Sequence, residues 1–186
     1  MKLNLGCGYR RMEGWVNVDK FEACQPDLVL DLEKTPWPFE DDSVDEVMLI
    51  HVLEHIGAST DAFLGFIKEL HRVCRHGAQI RIHVPHPRHD DFLNDPTHVR
   101  VITPEVMTLF SKRENLIWQQ NGAANTLLAL YLGVDFEVRH YELVLDVQAG
   151  QALESGQVSD ARMRELARSQ NNVIREFRIL WEAQKA

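Results

Sequence analysis

Three short apolar segments near the start of the sequence each end in residues suited to binding a nucleoside. The segments are 2–5, 15–18 and 27–30, and they end in Gly6-Cys7-Gly8, Asp19 and Asp31. Two glycines without a Cβ let a ligand approach the backbone, and the amide hydrogens of such a turn can bind polar groups. A carboxylate at the second position can accept hydrogen bonds from both ribose hydroxyls, and one at the third from an adenine amine.

Taken singly, each of these features is also typical of an ordinary turn or a solvated loop acid. Their succession at three strand ends favours a binding site, because open α/β sheets bind ligands at the carboxyl ends of their strands. Arg11 stands where a nicotinamide-binding turn needs its third glycine, which argues against a nucleotide-dependent oxidoreductase. No Gly-Lys-Ser or Gly-Lys-Thr occurs, so the pattern predicts a cofactor without phosphates.

A second group of reactive residues follows the apolar segment 79–84. Within 16 residues the sequence places His83, His86, His89, Asp90, Asp91, Asp95 and His98. One interpretation makes His86 or His89 a general base that removes a proton from a substrate, oriented by Asp90 or Asp91. We take His86, His89 and Asp91 as the candidate catalytic residues.

Two other interpretations of this histidine-rich loop stay open. His86, His89 and His98 with an aspartate have the residue types of a divalent metal site, but their spacing matches no standard pattern, so we assign no metal ligand. Alternatively the cluster is structural, with Asp95 capping a turn before Pro96 and with His98 pinning the loop.

Glu54-His55 and Arg10-Arg11 have two interpretations each. Glu54 and His55 follow the segment 44–50 and are either an acid–base pair or the anchor of the following loop. Arg10 and Arg11 either meet an anionic group of a substrate or cofactor or are solvated.

Apolar patterning predicts the elements that position these residues. Strands are expected at 2–5, 15–18, 27–30, 44–50, 79–84, 136–147 with a bulge near His140, and 173–183. Helices are expected from Ser59 or Thr60 to Gly77, from Thr103 to about Lys112, and from Ser159 to about Gln170. Alternation in 173–183 indicates a strand, and the two late strands suggest an antiparallel pair beside a parallel sheet.

Composition narrows the class of protein and its partners. The chain has 186 residues and a net charge of −8, and this negative charge disfavours a nucleic-acid partner. No apolar run approaches the length needed to span a membrane. Three cysteines form no disulfide framework, and no signal peptide is recognisable, so we expect a reduced cytoplasmic location. We expect one domain over residues 1–186, a small-molecule partner, and no nucleic acid or membrane partner, and we leave a homodimer open.

Five motifs in this order resemble those of class I S-adenosylmethionine-dependent methyltransferases of the type-11 branch. They lie at 3–8, 14–19, 31–32, 37–45 and 51–55, and the segment 172–181 is similar to the last strand of that fold. The resemblance implies an α/β Rossmann-like fold, with a seven-stranded, mostly parallel sheet, an antiparallel last strand and helices on both faces. It makes residues 85–135 a substrate-side loop and helix insertion.

The resemblance also implies a cofactor, S-adenosyl-L-methionine, and residues that hold it. Gly6, Cys7 and Gly8 would line its methionine end, Asp19 would bind its ribose, and Asp31 with Leu32 would hold its adenine. His51 would face the reacting methyl, and Lys20 is a further cofactor-binding residue. The N-terminal helices that cover the substrate in this family have no counterpart before residue 2, so another part of the chain or another subunit would supply the lid.

The function expected is methyl transfer to an oxygen or nitrogen of a small molecule or sugar. The alternative is an adenosyl-binding but catalytically idle partner or scaffold subunit.

Overall fold

Seven strands form one sheet in the computed structural model, which describes residues 1–185. They are β1 (Lys2–Leu5), β2 (Val16–Asp19), β3 (Leu28–Val29), β4 (Val44–Ile50), β5 (Cys74–Pro85), β6 (Phe136–Leu145) and β7 (Ile174–Ala183). Their order across the sheet is β3-β2-β1-β4-β5-β7-β6. Strands β1 to β5 are parallel, and β7 runs antiparallel to both of its neighbours. The predicted mixed sheet with a reversed last strand is confirmed.

Within residues 1–185, seven α-helices connect or flank the strands. They are α1 (Thr60–Val73), α2 (Asp90–Leu93), α3 (Pro104–Thr108), α4 (Lys112–Gln120), α5 (Leu128–Leu132), α6 (Val147–Glu154) and α7 (Asp160–Ser169). Ser59, Thr103 and Ser159 cap α1, α3 and α7 as predicted, each accepting a backbone N–H bond on its side-chain oxygen. Within residues 1–185, no helix combines the length and the apolar character that crossing a membrane requires.

Two helix boundaries differ from the sequence prediction. The helix expected from Thr103 to Lys112 is two helices, because Ser111 accepts the N–H of Glu114 and caps a second start. Helix α1 ends at Val73 rather than near Gly77. The loop before β4 supplies the reason: Asp42 N–H and Ser43 N–H donate to the carbonyls of Arg72 and Val73, so the helix end needs no glycine cap.

The connection between β1 and β2 contains no helix and is held by a buried asparagine. The Asn17 side-chain oxygen accepts from Met12 N–H at 2.7 Å and from the Asn4 amide at 2.9 Å. The Asn17 amide donates to the Met12 and Trp15 carbonyls and to Asp27. These bonds satisfy the polar groups of a crossover that is too short for a helix, and so fix the turn at the end of β1.

Helix α1 covers the centre of the sheet and anchors the loop beyond β3. Its residues Phe66, Ile67 and Leu70 are fully buried in the core. Trp37 packs edge-on against Phe66 at 5.4 Å between ring centroids, and its indole N–H donates to the Leu32 carbonyl at 3.1 Å. The core therefore positions the chain around residue 32.

Candidate active site

One cleft of about 490 Å³ lies at the carboxyl ends of β1 to β4. It is lined by Gly6, Asp19, Lys20, Phe21, Leu30, Asp31, Leu32, Glu33, His51, Val52, His55, Ile56 and Thr97. Its volume is in the range of small-molecule sites. Six of the eight residues predicted to bind the cofactor are in this lining, and the other two, Cys7 and Gly8, lie in the same turn as Gly6.

Asp19 joins the end of β2 to the glycine turn after β1. Its Oδ2 accepts the Gly8 N–H at 2.8 Å and its Oδ1 accepts the Phe21 N–H at 2.9 Å. Only 8% of Asp19 is exposed, so these bonds fix its carboxylate in one orientation beside the cleft. Each carboxylate oxygen can accept more than one hydrogen bond, which leaves capacity for ligand hydroxyls.

Gly6 cannot carry a side chain without moving its neighbour. Its φ is +63°, and an added Cβ would lie 2.6 Å from Cγ2 of Val52. The first glycine therefore allows both the turn and the close packing of the residues after β4. Cys7 is buried behind the turn, where burial and then Asp19 raise the pKa of its thiol, so it stays neutral.

Asp31 and Leu32 form the wall of the cleft beyond β3. Asp31 Oδ1 accepts the Glu33 N–H at 3.2 Å, and Oδ2 lies 3.5 Å from Lys34 Nζ. Leu32 is buried, and its carbonyl is held by Trp37. This wall offers one apolar side chain and one half-exposed carboxylate, which suits the face and the amine of a purine.

His51 stands at the end of β4 between two acids. Its Nδ1 lies 3.3 Å from Glu54 Oε1 and its Nε2 lies 3.4 Å from Glu176 Oε2 of β7. The contact with Glu54 raises the pKa of His51 above its ordinary value, burial opposes this, and the charges of Glu54 and Glu176 add to it. Sequence reasoning missed Glu176, since nothing in the sequence shows that β7 lies beside the end of β5.

The three candidate catalytic residues of the histidine-rich loop lie outside the cleft lining. His86 Nδ1 accepts the Arg88 N–H at 3.1 Å, and the His86 ring packs on Phe177 at 5.0 Å. His89 caps α2 by accepting the Asp91 N–H on Nδ1 at 3.0 Å, with Nε2 3.4 Å from Asp146. Arg175 donates to Asp91 at 2.8 Å.

In this conformation each of these groups serves the structure of the loop. Burial lowers the pKa of His86, so its ring stays neutral. The structure brings His55 and Thr97 to the cleft instead.

Arg11 forms an ion pair with Asp27, away from the lining of the cleft. Other lining residues that sequence reasoning missed are Phe21, Glu33, Val52 and Ile56. Each of them follows directly after a predicted strand or turn. This position in the sequence is the one signal that could have identified them.

Comparison with known proteins agrees with this geometry. A family model described as a methyltransferase domain matches residues 12–82, which run from the end of the first crossover into β5. No curated protein matches the chain in sequence. The matched residues include β2, β3, β4 and α1, so the part of the chain that forms most of the cleft is similar to a methyltransferase domain.

Solved structures extend the likeness in fold over the whole chain. A SAM-dependent methyltransferase from Archaeoglobus fulgidus is 19% identical, with a TM-score of 0.62 over 97% of this chain and 85% of that one. One from Methanosarcina mazei is 14% identical, with a TM-score of 0.54 over 100% and 92%. The cyclase SpnF is 13% identical, with a TM-score of 0.54 over 100% and 75%.

Proposed function

We propose that the chain is a class I methyltransferase of the type-11 branch that transfers the methyl group of S-adenosyl-L-methionine to an oxygen or nitrogen of a small molecule or sugar. The observation that carries the proposal is that Asp19, Asp31 and His51, from three different strand ends, line one cleft. Asp19 would accept hydrogen bonds from the ribose hydroxyls, and Asp31 with Leu32 would hold the adenine. Gly6, Cys7 and Gly8 would line the methionine end, with Lys20 beside the ribose.

The chemistry asks the protein mainly for positioning. The bound sulfonium supplies an activated methyl group, whose bond electrons return to sulfur as the acceptor atom attacks in line. Holding the acceptor on this line is worth about 7–11 kcal/mol in favourable cases. His51 would lie beside the reacting methyl. An acceptor hydroxyl or ammonium group would also have to lose a proton, which requires a base.

The base that takes this proton remains a prediction. His86 or His89, oriented by Asp91, was proposed from the sequence, and both rings are now engaged in backbone contacts. This proposal requires the loop around α2 to rearrange when the acceptor binds. Substituting His86 or His89 by Gln should then lower kcat with little effect on cofactor affinity.

The charge of the cleft favours a particular class of acceptor. Asp19, Asp31 and Glu33 line it, and Lys20 is the one lysine or arginine in the lining. A neutral or cationic acceptor is therefore favoured over a phosphorylated one.

Calorimetric titration with S-adenosylmethionine and with S-adenosylhomocysteine tests cofactor binding, comparing Asp19→Asn with the wild type. Asp61→Asn is the matched control, because Asp61 is exposed in the first turn of α1 and does not line the cleft. We expect Asp19→Asn to weaken both ligands at least tenfold and Asp61→Asn to leave them unchanged. Equal affinity in the two variants would contradict the assignment of Asp19.

Turnover then separates an enzyme from an idle binding subunit. Cofactor labelled in its methyl group would be incubated with panels of small hydroxyl and amine compounds and sugars, and transfer to an acceptor would be measured. Tight cofactor binding with no transfer to any member of the panels favours the idle subunit.

A further inference from the structure

Three potential metal ligands lie together beside the cleft, outside the set of residues assigned to the cofactor. One atom each from Glu54, His55 and His98 lies within 4.8 Å of the other two. Glu54 and His55 belong to the turn Leu53–His55 after β4, and His98 belongs to the loop before α3. The His55 and His98 rings are 4.6 Å apart between centroids.

Glu54 is a buried carboxylate without hydrogen-bond partners. It is 1% exposed, and within residues 1–185 neither of its oxygens has a hydrogen-bond donor. His51 Nδ1, 3.3 Å from Oε1, makes an ion-pair contact on one side. A carboxylate taken out of water is costly unless a cation or several donors compensate it. His55 and His98 each place one potential ligand atom within 4.8 Å of a Glu54 oxygen, so a cation shared with them could compensate this charge.

Both histidines are hydrogen-bonded through Nδ1, and His98 Nε2 lies 3.8 Å from Asp95 Oδ2, beyond hydrogen-bond distance. His98 Nδ1 lies 2.9 Å from the Phe92 carbonyl, to which it must donate. His55 Nδ1 lies 3.3 Å from the Thr97 carbonyl and 2.9 Å from Thr97 Oγ1. That hydroxyl is 2.6 Å from Asp95 Oδ1, so it donates to Asp95 and accepts from His55.

These partners fix the proton of each imidazole on Nδ1 and leave the lone pair on Nε2. Such second-shell carbonyl and hydroxyl contacts are the usual way in which proteins orient histidine ligands.

Backbone bonds tie the two segments of the cluster to each other. Val99 N–H and Arg100 N–H both donate to the Glu54 carbonyl, at 2.9 and 3.2 Å. The Arg100 guanidinium donates to the Gly57 carbonyl at 2.9 Å and lies over the Phe63 ring at 4.2 Å. His98 is therefore kept facing the 53–55 turn whether or not an ion is bound.

We propose that Glu54, His55 and His98 bind one divalent transition-metal cation of the zinc class. Two imidazoles and a carboxylate form a known zinc ligand set that leaves a fourth position open, whereas magnesium and calcium prefer oxygen ligands. Ligands in a tetrahedral zinc site are about 3.4 Å apart, given bonds of about 2.1 Å. Binding would therefore draw the three side chains together and strengthen the contact between the two segments.

The ion would also have a use in catalysis. His55 and Thr97 line the cleft, so an acceptor oxygen at the open position would be oriented and acidified. This role rests on the proposed methyl transfer, but metal binding itself does not.

The test is titration of the chelator-stripped full chain with ZnCl₂, followed by calorimetry and thermal unfolding. We expect one equivalent to bind and to raise Tm. Glu54→Gln and His98→Ala should each weaken zinc binding at least tenfold. The control is His140→Ala, since His140 is exposed on β6 and distant in sequence from the cluster; it should bind zinc like the wild type.

Glu54→Gln also separates this proposal from a purely structural role. If Glu54 serves as a metal ligand, removing its charge leaves the stripped protein as stable as the wild type or more so, and the rise in Tm with zinc is lost. If Glu54 serves as the ion-pair partner of His51 alone, the variant is less stable and zinc binding is unchanged. Should His98→Ala fail to fold, Glu54→Gln decides.

Two results would overturn the proposal: no stoichiometric uptake by the wild type, or equal affinity in Glu54→Gln. A cobalt(II) titration identifies the ligands, because binding at the cysteines gives thiolate charge-transfer absorption and binding at this cluster does not. S-adenosylhomocysteine binding by the stripped chain is measured separately, so a failure of the metal site leaves the cofactor assignment untouched.

Discussion

At the scale of single residues, the turn after β1 depends on two glycines that do different work. Gly6 has both a positive φ and a neighbour at the position of its missing Cβ, whereas Gly8 has a positive φ of +48° and open space. Alanine substitutions at the two positions therefore distinguish the cost of backbone strain from the cost of a steric clash.

We expect Gly6→Ala to cost about 2–5 kcal/mol of unfolding free energy, as a sum of left-handed strain and overpacking. Gly8→Ala, the matched control, should cost about 1–2 kcal/mol because it meets strain alone. Denaturant unfolding of the two variants measures the difference. In a Val52→Ala background the added cost of Gly6→Ala should fall to that of Gly8→Ala, and an unchanged cost there would argue against the clash.

The sequence indicates which residues follow a strand, but it does not show which side chains become buried. Asp19 and Asp31 were predicted from their place after apolar segments and His51 from the family resemblance, and all three line the cleft. The burial of Glu54 and the approach of Glu176 to His51 depend on packing across the sheet, which local sequence does not record.

At the scale of elements, α1 holds the wall of the cleft through a buried charge. Glu69, 7% exposed, accepts the Trp37 N–H at 2.6 Å and is bonded by the Arg72 guanidinium. Burial alone would raise the pKa of Glu69, but the bonds from Arg72 and Trp37 outweigh it and hold the pKa below its ordinary value. The ionised form is therefore the stabilising one.

This depressed pKa predicts how stability changes with pH. The contribution of Glu69 is fully present above the ordinary glutamate pKa of about 4.3 and is lost as the pH falls below it, because the unfolded chain then binds the proton more readily. Glu69→Gln should cost about 1–3 kcal/mol at pH 7 and progressively less below pH 4. Urea unfolding at pH 7 and pH 3.5 measures this, and a cost that is the same at both pH values would refute it.

Elements whose ends are set by local chemistry were predicted well, and elements whose ends are set by distant partners were not. The caps Ser59, Thr103 and Ser159 and the bulge near His140 are in the sequence and are confirmed. The end of α1 is set by the loop at 42–43, and α6 was not predicted, since it has no long apolar period.

At the scale of the whole molecule, we expect cofactor binding to stabilise the fold, because the cleft joins four strand ends that come together only in the folded sheet. S-adenosylhomocysteine at about 100 times its Kd should add about 2.7 kcal/mol of stability. For a domain of this size that corresponds to a rise in Tm of about 5–11 °C. Differential scanning fluorimetry measures the shift; Asp19→Asn should lose most of it, and the same shift in both proteins would contradict the linkage.

The homodimer stays a prediction at this scale. Strand β6 is an edge of the sheet, and its residues Tyr141 and Leu143 are 47% and 51% exposed. If two chains pair along this strand, Leu143→Lys should shift the elution volume from dimer to monomer in size-exclusion chromatography. A wild type that elutes as a monomer at every concentration would rule the dimer out.

The position of β7 has a consequence for how the chain is made. Strand β7 follows β6 in sequence, yet it lies between β5 and β6 in the sheet. While the ribosome is still translating the preceding helix, β5 and β6 each present an unsatisfied backbone edge, and Trp181 has not yet stacked on Phe136. The sheet of the nascent chain therefore cannot close until residues 174–183 have left the ribosomal exit tunnel. Folding of the C-terminal third is thus the step during which a chaperone would have to protect the exposed strand edges.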